Sequence, residues 1–90
     1  MIYDYLIIGG GISGCHTAYK LSKKNPNKSI CLFEASNRLG GRLYSVKLES
    51  NNVLEAGGAR FNSSHKLLMK LIDELGFSKK KIKIGSEVNF

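Results

Sequence analysis

Gly9-Gly10-Gly11-Ile12-Ser13-Gly14 is the stretch of this sequence with the plainest chemistry. It matches G-x-G-x-x-G, a weak signal by itself that gains specificity from its surroundings. An apolar run, Tyr5-Leu6-Ile7-Ile8, precedes it, and a helical pattern over Ile12–Lys24 follows. Each glycine then has a physical task. Gly9 allows the tight turn out of a strand. Gly11 lets the backbone approach a pyrophosphate, and Gly14 lets the helix lie close on the strand. An anionic group would meet the open N–H groups and positive dipole end of that helix, and the Ser13 hydroxyl can add a hydrogen bond. Glu34 follows Gly14 by about 20 residues, at the end of a second apolar run. A carboxylate there suits a ribose diol and repels a 2′-phosphate, which argues against NADP. These residues point to an adenine dinucleotide and leave NAD and FAD both open.

The elements that must position these residues read as follows. Ile2–Ile8 is expected to be a strand whose apolar end suits burial on both faces of a parallel sheet. The helix over Ile12–Lys24 places Ile12, Cys15, Ala18, Tyr19 and Leu21 near one face and His16 toward solvent. It stops at Asn25-Pro26, since proline disfavours helix in the residue before it. Ser29–Phe33 is the second strand, which completes a βαβ unit. Leu43–Glu49 and Val53–Ala56 are expected to pair across a turn at Ser50-Asn51-Asn52. Asn62 or Ser63 is the expected cap of a helix over Ser64–Leu75, with Leu67, Leu68, Leu71, Ile72 and Leu75 as its apolar stripe. Gly76 stands where a helix-ending glycine belongs. The remainder is basic, with a short strand expected at Lys81–Ile84. The expected fold class is therefore α/β, a Rossmann-like βαβ unit that is incomplete, followed by a hairpin and a helix. The division expected is a partial dinucleotide-binding domain over residues 1–76 and a basic segment over 77–90.

The residues after Glu34 discriminate between the cofactors. Glu34-Ala35-Ser36-Asn37-Arg38-Leu39-Gly40-Gly41-Arg42 resembles the E-A-x-x-R-x-G-G-R segment of the flavin-dependent amine oxidase family, which includes monoamine, polyamine and L-amino acid oxidases. The resemblance implies FAD. On that reading Gly40 and Gly41 permit close backbone approach, and Arg42 pairs with a phosphate or polarises the cofactor's edge. Arg38 either neutralises the pyrophosphate or braces the loop. A third segment, Leu54-Glu55-Ala56-Gly57-Gly58-Ala59-Arg60-Phe61, resembles the stretch that lies against the flavin ring in the same family. It implies that Gly57, Gly58 and Ala59 leave room for the ring. Arg60 has two readings: a partner for Glu55 or a phosphate, or, as the resemblance to L-amino acid oxidases suggests, an anchor for a substrate carboxylate. Family members with covalent flavin use a cysteine far downstream, which neither Cys15 nor Cys31 matches, so the expected flavin is non-covalent.

The resemblance runs from about Tyr3 to Gly76, and family members are several times longer than these 90 residues. The family's substrate domain, its lysine beside the flavin and its aromatic cage have no counterpart here. The expected function is thus the FAD-binding N-terminal portion of an amine-oxidase-like oxidoreductase, inactive toward an amine or amino acid by itself. The alternatives are a dinucleotide-binding module that acts only with a partner chain, and a remnant whose basic tail binds acidic surfaces.

Composition narrows the classes further. With 42% hydrophobic and 23% charged residues, a disordered tail is excluded. No apolar run approaches the ~20 residues of a membrane span, and the N-terminus lacks a signal-peptide layout. The net charge of +7 comes mainly from lysines dispersed over the chain and clustered in Lys79–Lys83, without interleaved aromatics or a nucleic-acid motif. Two cysteines are too few for a disulfide scaffold, and both are expected to be reduced and structural in a cytoplasmic setting. Neither His16 nor His65 has a ligand partner at metal-like spacing, so no metal site is expected.

Overall fold

The computed structural model describes residues 2–58 and 60–81. The chain forms two compact units, Met1–Ala59 and Arg60–Phe90.

In the first unit β1 (Tyr5–Ile8) and β2 (Ile30–Phe33) pair in parallel, with Tyr5 beside Ile30 and Ile8 beside Phe33. The helix α1 (Ile12–Lys24) connects them and packs on both. Its limits follow from the glycine run before it and from Asn25-Pro26 after it. The Asn25 N–H still bonds the Leu21 carbonyl, and Lys23 and Lys24 complement the dipole in the last turn.

Burial departs from expectation on one face of the sheet. Tyr5 and Ile7 are half-buried, whereas Leu6 is 60% and Ile8 81% exposed. Two strands and one helix cover one face of a sheet and leave the other without a layer. On α1 itself, Cys15, Ala18, Tyr19 and Leu21 are half-buried as expected, but Ile12 is exposed. His16 is half-buried instead of facing solvent, and its Nε2 is shielded without a hydrogen-bond partner among the described residues. It lies three positions before Tyr19, so the helical repeat carries it toward the Tyr19 side of the helix.

The strands are pinned where they begin. The Asp4 carboxylate accepts the Ser29 N–H at 2.8 Å and the Ser29 hydroxyl at 3.2 Å, while the Ser29 Oγ accepts the Asp4 N–H at 3.0 Å. The Ser29 backbone N–H is the main cause that holds the Asp4 carboxyl below its ordinary value of 3.8. A depressed carboxyl stabilises the fold above its ordinary range and loses that contribution as the pH falls through it. Asp4→Asn is therefore expected to lower the melting temperature at pH 7 and to converge with the parent chain in acid. Melting curves across pH check this, and a constant gap at every pH would contradict it.

A hairpin follows, β3 (Ser45–Lys47) antiparallel to β4 (Val53–Glu55), with Val46 opposite Leu54. Both strands are shorter than expected. The Ala56 N–H to Tyr44 carbonyl and Gly58 N–H to Arg42 carbonyl bonds, 2.7 and 2.9 Å, carry the pairing back beyond β3.

In the second unit, α2 (Lys66–Glu74) starts later than expected and has no side-chain cap. Asn62 is spent before the helix begins: its Oδ1 accepts both the N–H and the hydroxyl of Ser64. The Asn62 N–H in turn donates to His65 Nδ1. Leu68, Leu71 and Ile72 are half-buried, whereas Leu67, expected in the stripe, is 75% exposed. The helix ends as expected at Gly76. Gly76 N–H bonds the Asp73 carbonyl and Phe77 N–H bonds the Ile72 carbonyl, the two bonds of a Schellman motif. Ser78–Lys80 makes a single 3-10 turn. Residues 82–84 of the strand expected at Lys81–Ile84 lie outside the described residues.

Candidate dinucleotide site

The glycine loop is held by four hydrogen bonds. The Gly9 N–H bonds the Phe33 carbonyl at 2.7 Å and ties the loop to the end of β2. The Gly10 N–H donates to Glu34 Oε1 at 2.8 Å, and the Gly10 carbonyl accepts the Gly40 N–H at 2.8 Å and the Cys15 thiol at 3.3 Å. Gly14 lies so close over the loop that a Cβ there would fall inside the Gly9 carbonyl group. Gly14 is thus needed for helix-on-strand approach, as the motif predicts. Gly11, the N-cap of α1, has extended backbone and no side-chain cap follows it. The N–H groups of Ile12 and Ser13 therefore open the helix uncapped, and both residues are exposed.

Glu34 closes the loop from the far side. Its Oε1 takes the Gly10 N–H and its Oε2 the Ser36 N–H at 2.7 Å. The Ser36 and Gly10 backbone N–H groups, in that order, lower its carboxyl from 4.5 to about 2, so it is ionised throughout the physiological range. Each oxygen keeps a lone pair for a further donor, which is what a ribose diol requires. Glu34, Ser36, Asn37, Arg38 and Leu39 line a cleft of about 300 Å³ beside this carboxylate. Ala35 is exposed at the start of the same loop.

The second glycine pair belongs to the same construction. Gly41 adopts φ +57°, and a Cβ on it would lie 3.1 Å from the Gly11 Cα. With the Gly40–Gly10 hydrogen bond, this seats Gly40-Gly41 directly on the glycine loop. The Arg38 guanidinium engages the backbone of its own loop. Its Nη1 donates to the Leu39 and Leu43 carbonyls and its Nη2 to the Gly41 carbonyl. Arg42 is exposed, and no hydrogen bond or ion pair engages its guanidinium among the described residues.

Gly57 and Gly58 have a role that sequence alone did not reveal. A Cβ on Gly57 would fall inside the Arg42 carbonyl, and one on Gly58 would meet Leu43 Cδ2 at 2.9 Å. The small size of Gly57 serves the hairpin's own backbone packing, and that of Gly58 makes room for the Leu43 side chain. Glu55 is engaged inside the hairpin, where the Ser45 hydroxyl lies 2.6 and 2.8 Å from its two oxygens. Ala59 lies outside the described residues, and Arg60 is exposed in the second unit. The residue that motif reading passed over is Gly10, the one buried residue among those described. Its signal was the uninterrupted Gly9-Gly10-Gly11 run, longer than the motif needs.

Among the described residues no group of His, Cys, Asp and Glu could hold a metal ion, and no helix is long and apolar enough to cross a membrane. The free cysteines Cys15 and Cys31 are half-buried.

Fold and site together define a nucleotide-binding βαβ unit. The chain belongs to the NAD(P)-binding Rossmann-like domain family, whose model matches residues 7–75. It is similar to achacin of Lissachatina fulica, 41% identical over 85 residues that cover 91% of this chain and 16% of achacin. Amine oxidase [flavin-containing] A of Equus caballus is 32% identical over 87 residues, covering 97% of this chain and 16% of the relative. Among solved structures, wild-type putrescine oxidase bound to putrescine matches with a TM-score of 0.70 and 36% identity, over 82% of this chain and 16% of that one. The chain thus spans about one sixth of the length of the relatives it matches, and its fold is that of a partial segment of such oxidases.

Proposed function

We propose that this chain is the FAD-binding N-terminal portion of an amine-oxidase-like flavin oxidoreductase, working in a reducing, cytoplasmic setting. The observation that carries the reading is the union of two motifs in one hydrogen-bonded site: Gly10 of the glycine loop joins both Glu34 and Gly40 of the segment after β2. The residues fit the group. Gly41 packs on the Gly11 backbone, where a Cβ on Gly41 would lie 3.1 Å from the Gly11 Cα. The open N–H groups of Ile12, Ser13 and Gly14 suit the pyrophosphate, with the Ser13 hydroxyl beside them. Glu34 suits the ribose, and Arg42, whose guanidinium is unengaged among the described residues, suits a phosphate. Gly57, Gly58, Ala59 and Arg60 complete the cofactor-binding residues on this reading. Neither Cys15 nor Cys31 stands where family members with covalent flavin attach it, so the residues of this chain hold the flavin by non-covalent contacts. When bound, the flavin supplies the hydride acceptor for oxidation of an amine or amino acid C–N bond. The protein residues bind and orient it and exclude competing reactions.

Titration of the chain with FAD, followed by quenching of flavin fluorescence, tests this. Saturable binding is expected, with NADPH bound at least roughly ten-fold more weakly because Glu34 opposes a 2′-phosphate. Absence of binding, or preference for NADPH, would overturn it. For Arg60, the carboxylate-anchor reading requires that the complete oxidase favour amino acids over their decarboxylated amines, and equal turnover would remove it.

A second reading is favoured by the exposed sheet face of Leu6, Ile8 and Phe33, the last 51% exposed. An apolar face this open suits a module that acts with a further polypeptide. Turnover only after addition of the remaining oxidase sequence as a separate chain would support it.

A further inference from the structure

Arg38 sits at the centre of a closed loop. Nη1 reaches the Leu39 carbonyl at 3.3 Å and the Leu43 carbonyl at 3.2 Å, and Nη2 reaches the Gly41 carbonyl at 2.8 Å. The guanidinium lies 4.2 Å from the centroid of the Tyr44 ring, within the range of a cation–π stack. The Ser36 hydroxyl donates to the Arg38 carbonyl at 2.9 Å, and the Leu43 N–H bonds the Gly40 carbonyl at 2.9 Å, so both ends of the loop are tied. Carbonyls converging from three residues repel one another unless a planar, forked donor fills the space between them. A lysine ammonium lacks that fork. The loop so held presents the Gly40 N–H to Gly10 and the Gly41 backbone to Gly11.

We propose that Arg38, stacked on Tyr44, is a positioning residue that sets the width of the phosphate cradle through Gly40 and Gly41, without contacting the ligand. The inference rests on the FAD reading for its ligand, but the brace exists in the free protein. Its prediction differs from that of a phosphate-pairing arginine, which lysine would partly replace.

The test compares the full chain with its Arg38→Lys, Arg38→Ala, Tyr44→Leu and Tyr44→Phe variants. FAD affinity is measured at several salt concentrations, and amide hydrogen exchange is measured without FAD. Arg38→Lys, Arg38→Ala and Tyr44→Leu are each expected to weaken FAD roughly ten-fold or more, the scale of losing charge-assisted hydrogen bonds. In the same variants Gly40 and Leu43 amides should exchange faster while those of Leu21 and Asn25 do not. Tyr44→Phe, which keeps the ring, should behave as the parent. The salt dependence of affinity should stay unchanged, and guanidinium ion should restore Arg38→Ala where methylammonium does not. Parental affinity in Arg38→Lys, or a flattened salt dependence, would assign Arg38 to the phosphate and overturn the proposal. Should the parent chain bind no FAD, the FAD reading fails, and exchange alone decides the brace: faster exchange at Gly40 in Arg38→Lys upholds it, and parental exchange overturns it.

Discussion

Replacement of Gly14 by alanine is expected to cost the chain its cofactor site. The new Cβ would fall within the Gly9 carbonyl, a backbone group that cannot rotate away. Either α1 lifts off β1 or the glycine loop shifts, and each response moves the open N–H groups of Ile12 and Ser13. Forcing an extra carbon into a close-packed contact typically costs about 1–3 kcal/mol. A chain of this length is marginally stable to begin with, so that cost is a large share of what holds it folded. The expected result is a loss of FAD affinity on the order of 100-fold, with a lowered melting temperature. Ser13→Ala, one residue earlier on an exposed position, is the matched control and should lose far less. Thermal melts and flavin-fluorescence titrations measure both. Parental binding by Gly14→Ala would show that helix and loop do not need this contact.

Glu34→Gln should have the second largest effect, through the loss of one charge and one acceptor. The carboxylate holds the Gly10 and Ser36 N–H groups with separate oxygens. Glutamine offers one oxygen and an NH2 group, so one of these amides faces a donor. The expected consequence is roughly ten-fold or greater weakening of FAD, together with relief of the discrimination against a 2′-phosphate. The pH dependence supplies an independent mark. In the folded chain the carboxyl lies at about 2, below its ordinary 4.5. Its contribution to stability is therefore complete above about 4.5 and is lost as the pH falls through the folded value near 2. The parent's melting temperature should fall across that window for this reason, and Glu34→Gln should lack that part of the fall. Identical acid profiles for the two proteins would refute the role given to Glu34.

Both predictions concern residues that the sequence singles out before any coordinates, and the reason is spacing. G-x-G-x-x-G between an apolar run and a helical pattern, with an acid at the end of the next apolar run, makes sense only as strand, loop, helix and strand. The limits of α1 followed from local chemistry, because a glycine run opens it and Asn25-Pro26 closes it. Gly76 was legible for the same reason, since a helix-ending glycine acts on its own helix. The caps and stripe of α2 were less legible. Asn62 was a good cap by type, but its side chain found a nearer donor in Ser64.

What required the tertiary structure was every feature set by residues distant in sequence. Gly10 fills a variable position of the motif, and its dual bond to Glu34 and Gly40 exists only because the loop after β2 folds back onto the loop after β1. Arg38 had the charge for a phosphate, and only the folded loop shows its fork given to three backbone carbonyls. Gly57 was small for a flavin by motif, yet the contact that demands its size is the Arg42 carbonyl across the hairpin. Apolar content likewise suggested a strand buried on both faces, while the layers present decide that Leu6 and Ile8 stay open. The amino-acid sequence by itself determined the βαβ order, the glycine loop that opens α1 and the place of Glu34 at the end of β2, since turn geometry and hydrophobic period are local properties. The tertiary structure decided which polar groups were already spent on the protein itself and which remained for a ligand, since a hydrogen bond goes to whatever partner the fold brings nearest.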